Sequence, residues 1–340
     1  MIALQPRAHF QDAPTLVEAA ILRAILYADV FDYPLTEDEI HRYLCGEAVS
    51  PESVRAKLTS SEWLAGRLSH VGNLYALAGR ESLIKLRAAR ADASARLWPM
   101  ARRFGALLAH LPFVRMVAVT GALAVNNAQA NDDGVANGDD IDYLIVTTPG
   151  RVWLARAMTI AVVRLARLCN VALCPNYLLA ETHLAQDQRD LFIAHELAQM
   201  IPLAGHEAYW RMRAANGWAA DFLPNAATIP RPETDSAPRG FGRLMQGGAE
   251  RSLSGFVGEA LERWERRRKL RKFQPQLDQP RSAAVLDESR VKGHFDDYGW
   301  EALRRYAARC AKYGIECRGA GEHEAFDIVN LSSRTGALTR

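Results

Sequence analysis

Asp140-Ile141-Asp142-Tyr143-Leu144-Ile145-Val146 is an acidic pair at the head of an apolar run. A β-strand repeats every two residues, so Asp140 and Asp142 point to one side of any sheet that this segment joins. Two ionised carboxylates held that close repel unless a cation lies between them. Hard oxygen ligands on a sparse protein shell suit Mg²⁺ or Mn²⁺ carrying substrate phosphates. The pattern points to phosphoryl or nucleotidyl transfer.

Upstream, the apolar run Met116-Val117-Ala118-Val119-Thr120 ends in Gly121-Ala122. A polar loop from Leu123 to Asp139 follows, rich in asparagine and aspartate (Asn126, Asn127, Asn131, Asp132, Asp133, Asn137) and closed by Gly138. Downstream of Pro149-Gly150 comes a strong helical pattern. An Asp-x-Asp at a strand head can be turn chemistry alone, since aspartate bonds nearby backbone. The order strand, glycine, loop, acidic strand, helix is what sets this one apart.

In that order the segments resemble the polymerase-β-like nucleotidyltransferase superfamily, over about residues 112 to 180. The resemblance implies an α/β (α+β) fold with a small mixed-sheet core. It also implies attack of a hydroxyl on the α-phosphate of a nucleoside triphosphate. Asp140 and Asp142 match the catalytic, metal-binding aspartates. Gly121 matches the glycine that lets the triphosphate approach the backbone, and the cofactor-binding turn takes in Ala122 and Asn126. Ala122 stands where the superfamily has a serine, and its methyl donates nothing to a phosphate. The superfamily's third carboxylate falls on the next strand, Val171 to Ala180, where the candidates are Asn176 near its start and Glu181 just past its end. Asparagine there lacks both the charge and the basicity of an aspartate.

A chain of 340 residues with an ordinary apolar and charged fraction has room for two or three domains. Its net charge of +3 is too small to select a partner. Five cysteines, Cys45, Cys169, Cys174, Cys310 and Cys317, show no paired metal spacing. Cys169 and Cys174 lie in apolar sequence and read as core thiols, in keeping with a cytoplasmic location. The N-terminus shows no apolar core of a signal peptide. The most hydrophobic stretch, Val152 to Cys174, is interrupted by Arg156, Arg164 and Arg167, so it reads as a buried crossover helix, and no membrane partner is expected.

Along the chain, residues 1–15 read as a loose tail. Residues 16–80 hold three helical patterns and a hairpin around Gly72-Asn73, in an order that resembles a winged-helix domain. Two signals mark its helix starts: the capping box Thr36-Glu37-Asp38-Glu39 and the pair Ser50-Pro51. Its third helix offers Arg55 and Lys57, with Arg67 near the wing, as phosphate contacts, a thin face for nucleic acid. Residues 81–110 read as a linking helix, 111–225 as the nucleotidyltransferase domain and 226–250 as a proline- and glycine-rich linker. Residues 251–318 read as a helical region with a basic run from Arg263 to Lys272, and 319–340 as a polar tail. His195, without a second histidine at zinc-motif spacing, reads as a packed residue, and Trp210 and Trp218 as core.

The expected function is Mg-dependent transfer of a nucleoside monophosphate from a triphosphate to a hydroxyl of a protein, RNA or small molecule. The alternative is a catalytically degenerate scaffold serving as a nucleotide-sensing or nucleic-acid-binding regulator.

Overall fold

A computed structural model of the chain describes residues 13–129, 140–277, 284–293 and 298–319. The first helix, α1 (Leu16–Asp29), begins at a capping box: Glu18 accepts the Thr15 N–H at 2.8 Å and Thr15 accepts the Glu18 N–H. Ala20 to Leu26 are buried almost without exception of type, because the helix runs through the middle of a core rather than along its edge. After β1 (Leu35–Thr36), a second capping box at Thr36 starts α2 (Glu37–Arg42), and Ser50 with Pro51 starts α3 (Pro51–Ser60). A single turn, α4 (Glu62–Ala65), leads into the hairpin β2 (Leu68–Val71) and β3 (Leu74–Leu77), which turns on Gly72 at φ 60°. These strands form an antiparallel sheet of order β1-β3-β2.

The cations expected to face nucleic acid on α3 are already engaged. Arg55 pairs with Glu37 at 3.1 Å and Lys57 with Glu18 at 3.5 Å. Arg67 lies 4.0 Å above the Trp63 ring.

The long helix α5 (Ser82–Ala109) then delivers the chain to β4 (Val114–Val119), the short α6 (Gly121–Ala124) and β5 (Ile141–Thr147). A crossover helix, α7 (Val152–Leu168), returns it to β6 (Leu173–Ala180), parallel to β5. Next come α8 (Leu191–Gln199), β7 (Ile201–Ala204), α9 (His206–Ala215), α10 (Ala219–Phe222), α11 (Gly240–Leu253) and α12 (Phe256–Leu277). The strands β8 (Val285–Leu286) and β9 (Arg290–Lys292) and the helix α13 (Tyr298–Lys312) complete the described chain. The larger sheet is open and mixed, of order β7-β4-β5-β6-β9-β8.

Strand alternation sorts this sheet into two faces. Val117, Val119, Tyr143, Ile145 and Leu178 pack under α5 and α7, where the Tyr143 hydroxyl donates to the Ala101 carbonyl at 2.7 Å. Met116, Ala118, Leu144, Val146 and Leu179 face the other way, into a core shared with α1, α8, α9 and α13. Asp140 and Asp142 have the parity of Leu144, which places them toward the N-terminal helices.

Several expectations are corrected here. The linker expected at 226–250 contains most of α11, and a break at Ser254-Gly255 separates α11 from α12. The C-terminal region expected to be helical also supplies β8 and β9, which extend the central sheet. The segment between α9 and α10 is a break at Asn216-Gly217. Trp210, expected in the core, is exposed, because the buried face of α9 is that of Ala208, Tyr209 and Met212. No helix among the described residues is long and apolar enough to cross a membrane. Residues 1–12 of the expected N-terminal tail, 130–139 of the polar loop and 320–340 of the expected C-terminal tail lie outside the described residues.

Candidate active site

Three elements meet at the head of β5. The chain leaves β4 at Thr120, whose N–H donates to the Asp142 carbonyl at 3.1 Å. It then turns at Gly121 with φ 65°. A Cβ on Gly121 would sit 2.4 Å from Asp142 Oδ2, so only glycine leaves room for that carboxylate. On the other side β6 lies in parallel register, Asp142 opposite Cys174. Donor atoms of Asp140, Asp142 and Cys174 all fall within 4.8 Å of one another.

Cys174 is therefore not the core thiol that its apolar neighbours suggested. Burial, and then the charges of Asp142 and Asp140, push its thiol well above its ordinary range, so it stays protonated beside them. Cys169, also expected in the core, is exposed. Two carboxylates on one side of a strand, with the thiol neutral, fit a hard divalent cation whose remaining positions go to water and phosphate oxygens. Asp140 and Asp142 are the residues that would hold it.

The register slips between Asp142 and Leu144, where β6 spends one residue more than β5. Pro175, which has no N–H for the ladder, sits in this bulge. The extra residue re-aims the strand, so that Asn176 and Tyr177 both border the cavity described below. Asn176 is thus near the acidic pair, although Cys174 takes the place directly beside Asp142. Glu181 is at the far end of β6, where its N–H donates to the Thr147 carbonyl and its side chain pairs with Arg211 at 2.9 Å. It takes no part in this site. Asn126 is likewise structural: in a left-handed turn, φ 54°, it accepts the Trp98 indole N–H at 2.9 Å. Ala122, by contrast, borders the cavity together with Gly121.

A cavity of about 390 Å³ opens between the acidic end of the sheet and the N-terminal helices. Its position is held by ties across the two parts of the chain: the Tyr33 hydroxyl donates to the Val125 carbonyl at 2.6 Å, and Glu39 pairs with Arg87 at 2.8 Å. Gly121, Asp142 and Asn176 form one wall, with Phe31 and Tyr27 from the N-terminal side. His195 and Glu196 of α8 and Lys292 of β9 add the charge and hydrogen-bonding capacity of the remaining wall. Neither Glu196 nor Lys292 makes an ion pair among the described residues. The side chains of Asn176, Gln188 and Gln199 also make no hydrogen bond there, so an apolar pocket holds several polar groups with unused capacity. Burial raises the Glu196 carboxyl above its ordinary value, and the Lys292 charge opposes the shift.

His195 is buried, as its sequence context suggested. Its Nδ1–H donates to the Leu191 carbonyl at 2.9 Å and its ring stacks on Tyr27 at 3.8 Å. Burial pushes its pKa from 6.5 down to about 4 despite that bond. The folded value lies below the unfolded one, so the stability contribution is complete above pH 6.5 and is lost as pH falls toward about 4. In urea unfolding, the stability of the wild type relative to His195→Gln should fall by about 2 kcal/mol between about pH 7 and 5. Parallel pH profiles for the two proteins would show that the ring is already free to charge.

Gln186, Glu196 and Lys292 carried no local signal. Lys292 stands about a hundred residues beyond Gln186 and Glu196 in sequence, and only the packing of α8 and the pairing of β9 with β6 bring the three to one cavity. No family model, no curated protein and no solved structure matches this chain.

Proposed function

We propose that the chain is a divalent-metal-dependent nucleotidyltransferase with a small-molecule acceptor. The observation that carries this is the placing of Asp142, beside Asp140 and against Gly121, at the wall of a cavity with unused polar groups. In the reaction the acceptor hydroxyl oxygen bonds to the α-phosphorus, the bond from that phosphorus to the bridging oxygen breaks, and pyrophosphate leaves. The bound metal supplies charge neutralisation and lowers the pKa of the hydroxyl.

The chain's own residues do the rest. Asp140 and Asp142 hold the metal, and Gly121 keeps the backbone bare where the phosphates pass. Lys292 offsets phosphate charge from across the cavity. Glu196, whose proton affinity is raised by burial, takes the hydroxyl proton. Phe31, with Tyr27 behind it, gives an apolar side for a base or acceptor ring. A cavity of about 390 Å³ suits a small acceptor better than a folded protein or a duplex. We read the N-terminal unit as winged-helix-like, but its α3 cations are paired, which favours the transferase over the nucleic-acid-binding regulator.

Incubation with each labelled triphosphate, Mg²⁺ and a small-molecule extract should give a labelled low-mass product. Absence of transfer from all four triphosphates, with Mg²⁺ or Mn²⁺, would sink the proposal. Ala122→Ser should tighten triphosphate binding several-fold in titration calorimetry, because one hydroxyl donated to a charged phosphate is worth on the order of 1 kcal/mol or a little more. Unchanged affinity would mean that the phosphates do not lie at Gly121.

A further inference from the structure

The helices α11 and α12 lie on the protein with their polar sides inward. In α11, Gln246 donates to the Ala109 and Leu111 carbonyls at 3.1 and 2.9 Å. Glu250, four residues on and hence on the same face, accepts the Phe113 N–H and both terminal nitrogens of Arg115. The outer side carries Phe241, Leu244 and Met245, exposed by 75%, 73% and 59%, and no residue of α11 is buried. α12 repeats the inversion. Its buried Glu262 accepts the Trp153 and Leu154 N–H groups and its buried Glu265 pairs with Arg268, while Phe256, Val257 and Trp264 face out, exposed by 79%, 61% and 57%.

The outward surface is also positive. Arg239, Arg243, Arg251 and Arg267 make no ion pair among the described residues, and the carboxylates of both helices are turned inward or, for Glu259, tied to Arg263. Arg243 and Arg251 flank Leu244 around a shallow depression floored by Gly247 and Gly248. Large apolar side chains in a field of unpaired arginines match one kind of surface, an apolar interior under anionic headgroups. A second copy of the chain would set these arginines against each other. A nucleic acid would satisfy them and leave Leu244, Met245 and Val257 in water.

We propose that α11 and α12 form a docking surface for an anionic phospholipid membrane. The apolar side chains enter the acyl boundary and the arginines meet lipid phosphates. No spanning helix is needed for this, so the expectation of no membrane partner, which rested on the lack of a spanning segment, does not bear on it. The inference is independent of the acidic site.

The test is co-sedimentation of the full chain with vesicles of phosphatidylcholine alone and of phosphatidylcholine with phosphatidylglycerol. Binding is expected to the anionic vesicles only. It should weaken roughly tenfold or more in Phe241→Ser with Leu244→Ser, and in Arg243→Glu with Arg251→Glu. These side chains point outward, so both variants should keep the wild-type circular dichroism. If either fails to fold, Arg243→Gln with Arg251→Gln replaces it. Equal binding to both vesicle types, binding to neither, a doubling of mass in light scattering that Leu244→Ser removes, or RNA binding that competes with vesicles would each overturn the proposal.

Discussion

Asp142→Asn should remove Mg²⁺-dependent triphosphate binding, with an affinity loss of at least about a hundredfold, since even outer-shell changes at metal sites cost 10 to 100-fold. The fold should survive unharmed, because the substitution relieves repulsion between Asp142 and Asp140 without adding volume. A second readout follows from the same charges. Asp142 helps to hold the Cys174 thiol protonated, so in the variant Cys174 should be alkylated faster. Titration calorimetry checks the first effect and mass-spectrometric labelling the second. A variant that binds triphosphate as the wild type does would remove the carboxylate pair from the mechanism.

Gly205→Ala should cost more stability than any comparable glycine replacement on the surface. Gly205 joins β7 to α9 at φ 75°, and a Cβ there would stand 1.9 Å from the Arg115 carbonyl oxygen, a backbone atom of β4 that cannot swing aside. The strand pairing of β7 on β4 must shift to admit it. A loss of about 3 kcal/mol or more is expected in urea unfolding, against roughly 1 kcal/mol for Gly72→Ala, where the left-handed φ is the sole obstacle. Similar losses at the two positions would show that the contact with Arg115 relaxes freely.

Local chemistry made much of the chain legible. The capping box at Thr36 and the pair Ser50-Pro51 mark helix starts whose partners are three residues away. The period of two in the run from Asp140 to Val146 put both carboxylates on one face, where the structure has them. β7, β8 and β9 escaped notice because they are short edge or near-edge strands, at most four residues each, whose pairing partners lie far away in sequence. The break at Ser254-Gly255 and the inverted face of α11 were hidden for another reason: periodicity reports that a helix has two sides and not which side turns inward.

The third position of the acidic site shows where sequence stops. The expected resemblance pointed to the next strand, which offered Asn176 near its start and Glu181 just past its end. The bulge at Pro175 and the parallel pairing of β6 with β5 put Cys174 beside Asp142, a matter of register between two strands that no single strand encodes. Glu181 was carried to the opposite end of the sheet for the same reason, since β6 runs alongside β5 and ends where β5 ends. By itself the sequence determined the acidic pair, the glycine turn before it and the helices that frame them, because each depends on neighbours within a few residues. The tertiary structure alone decided that Glu196 and Lys292 share a cavity with Asp142, because a cavity is the space left when distant segments close on one another.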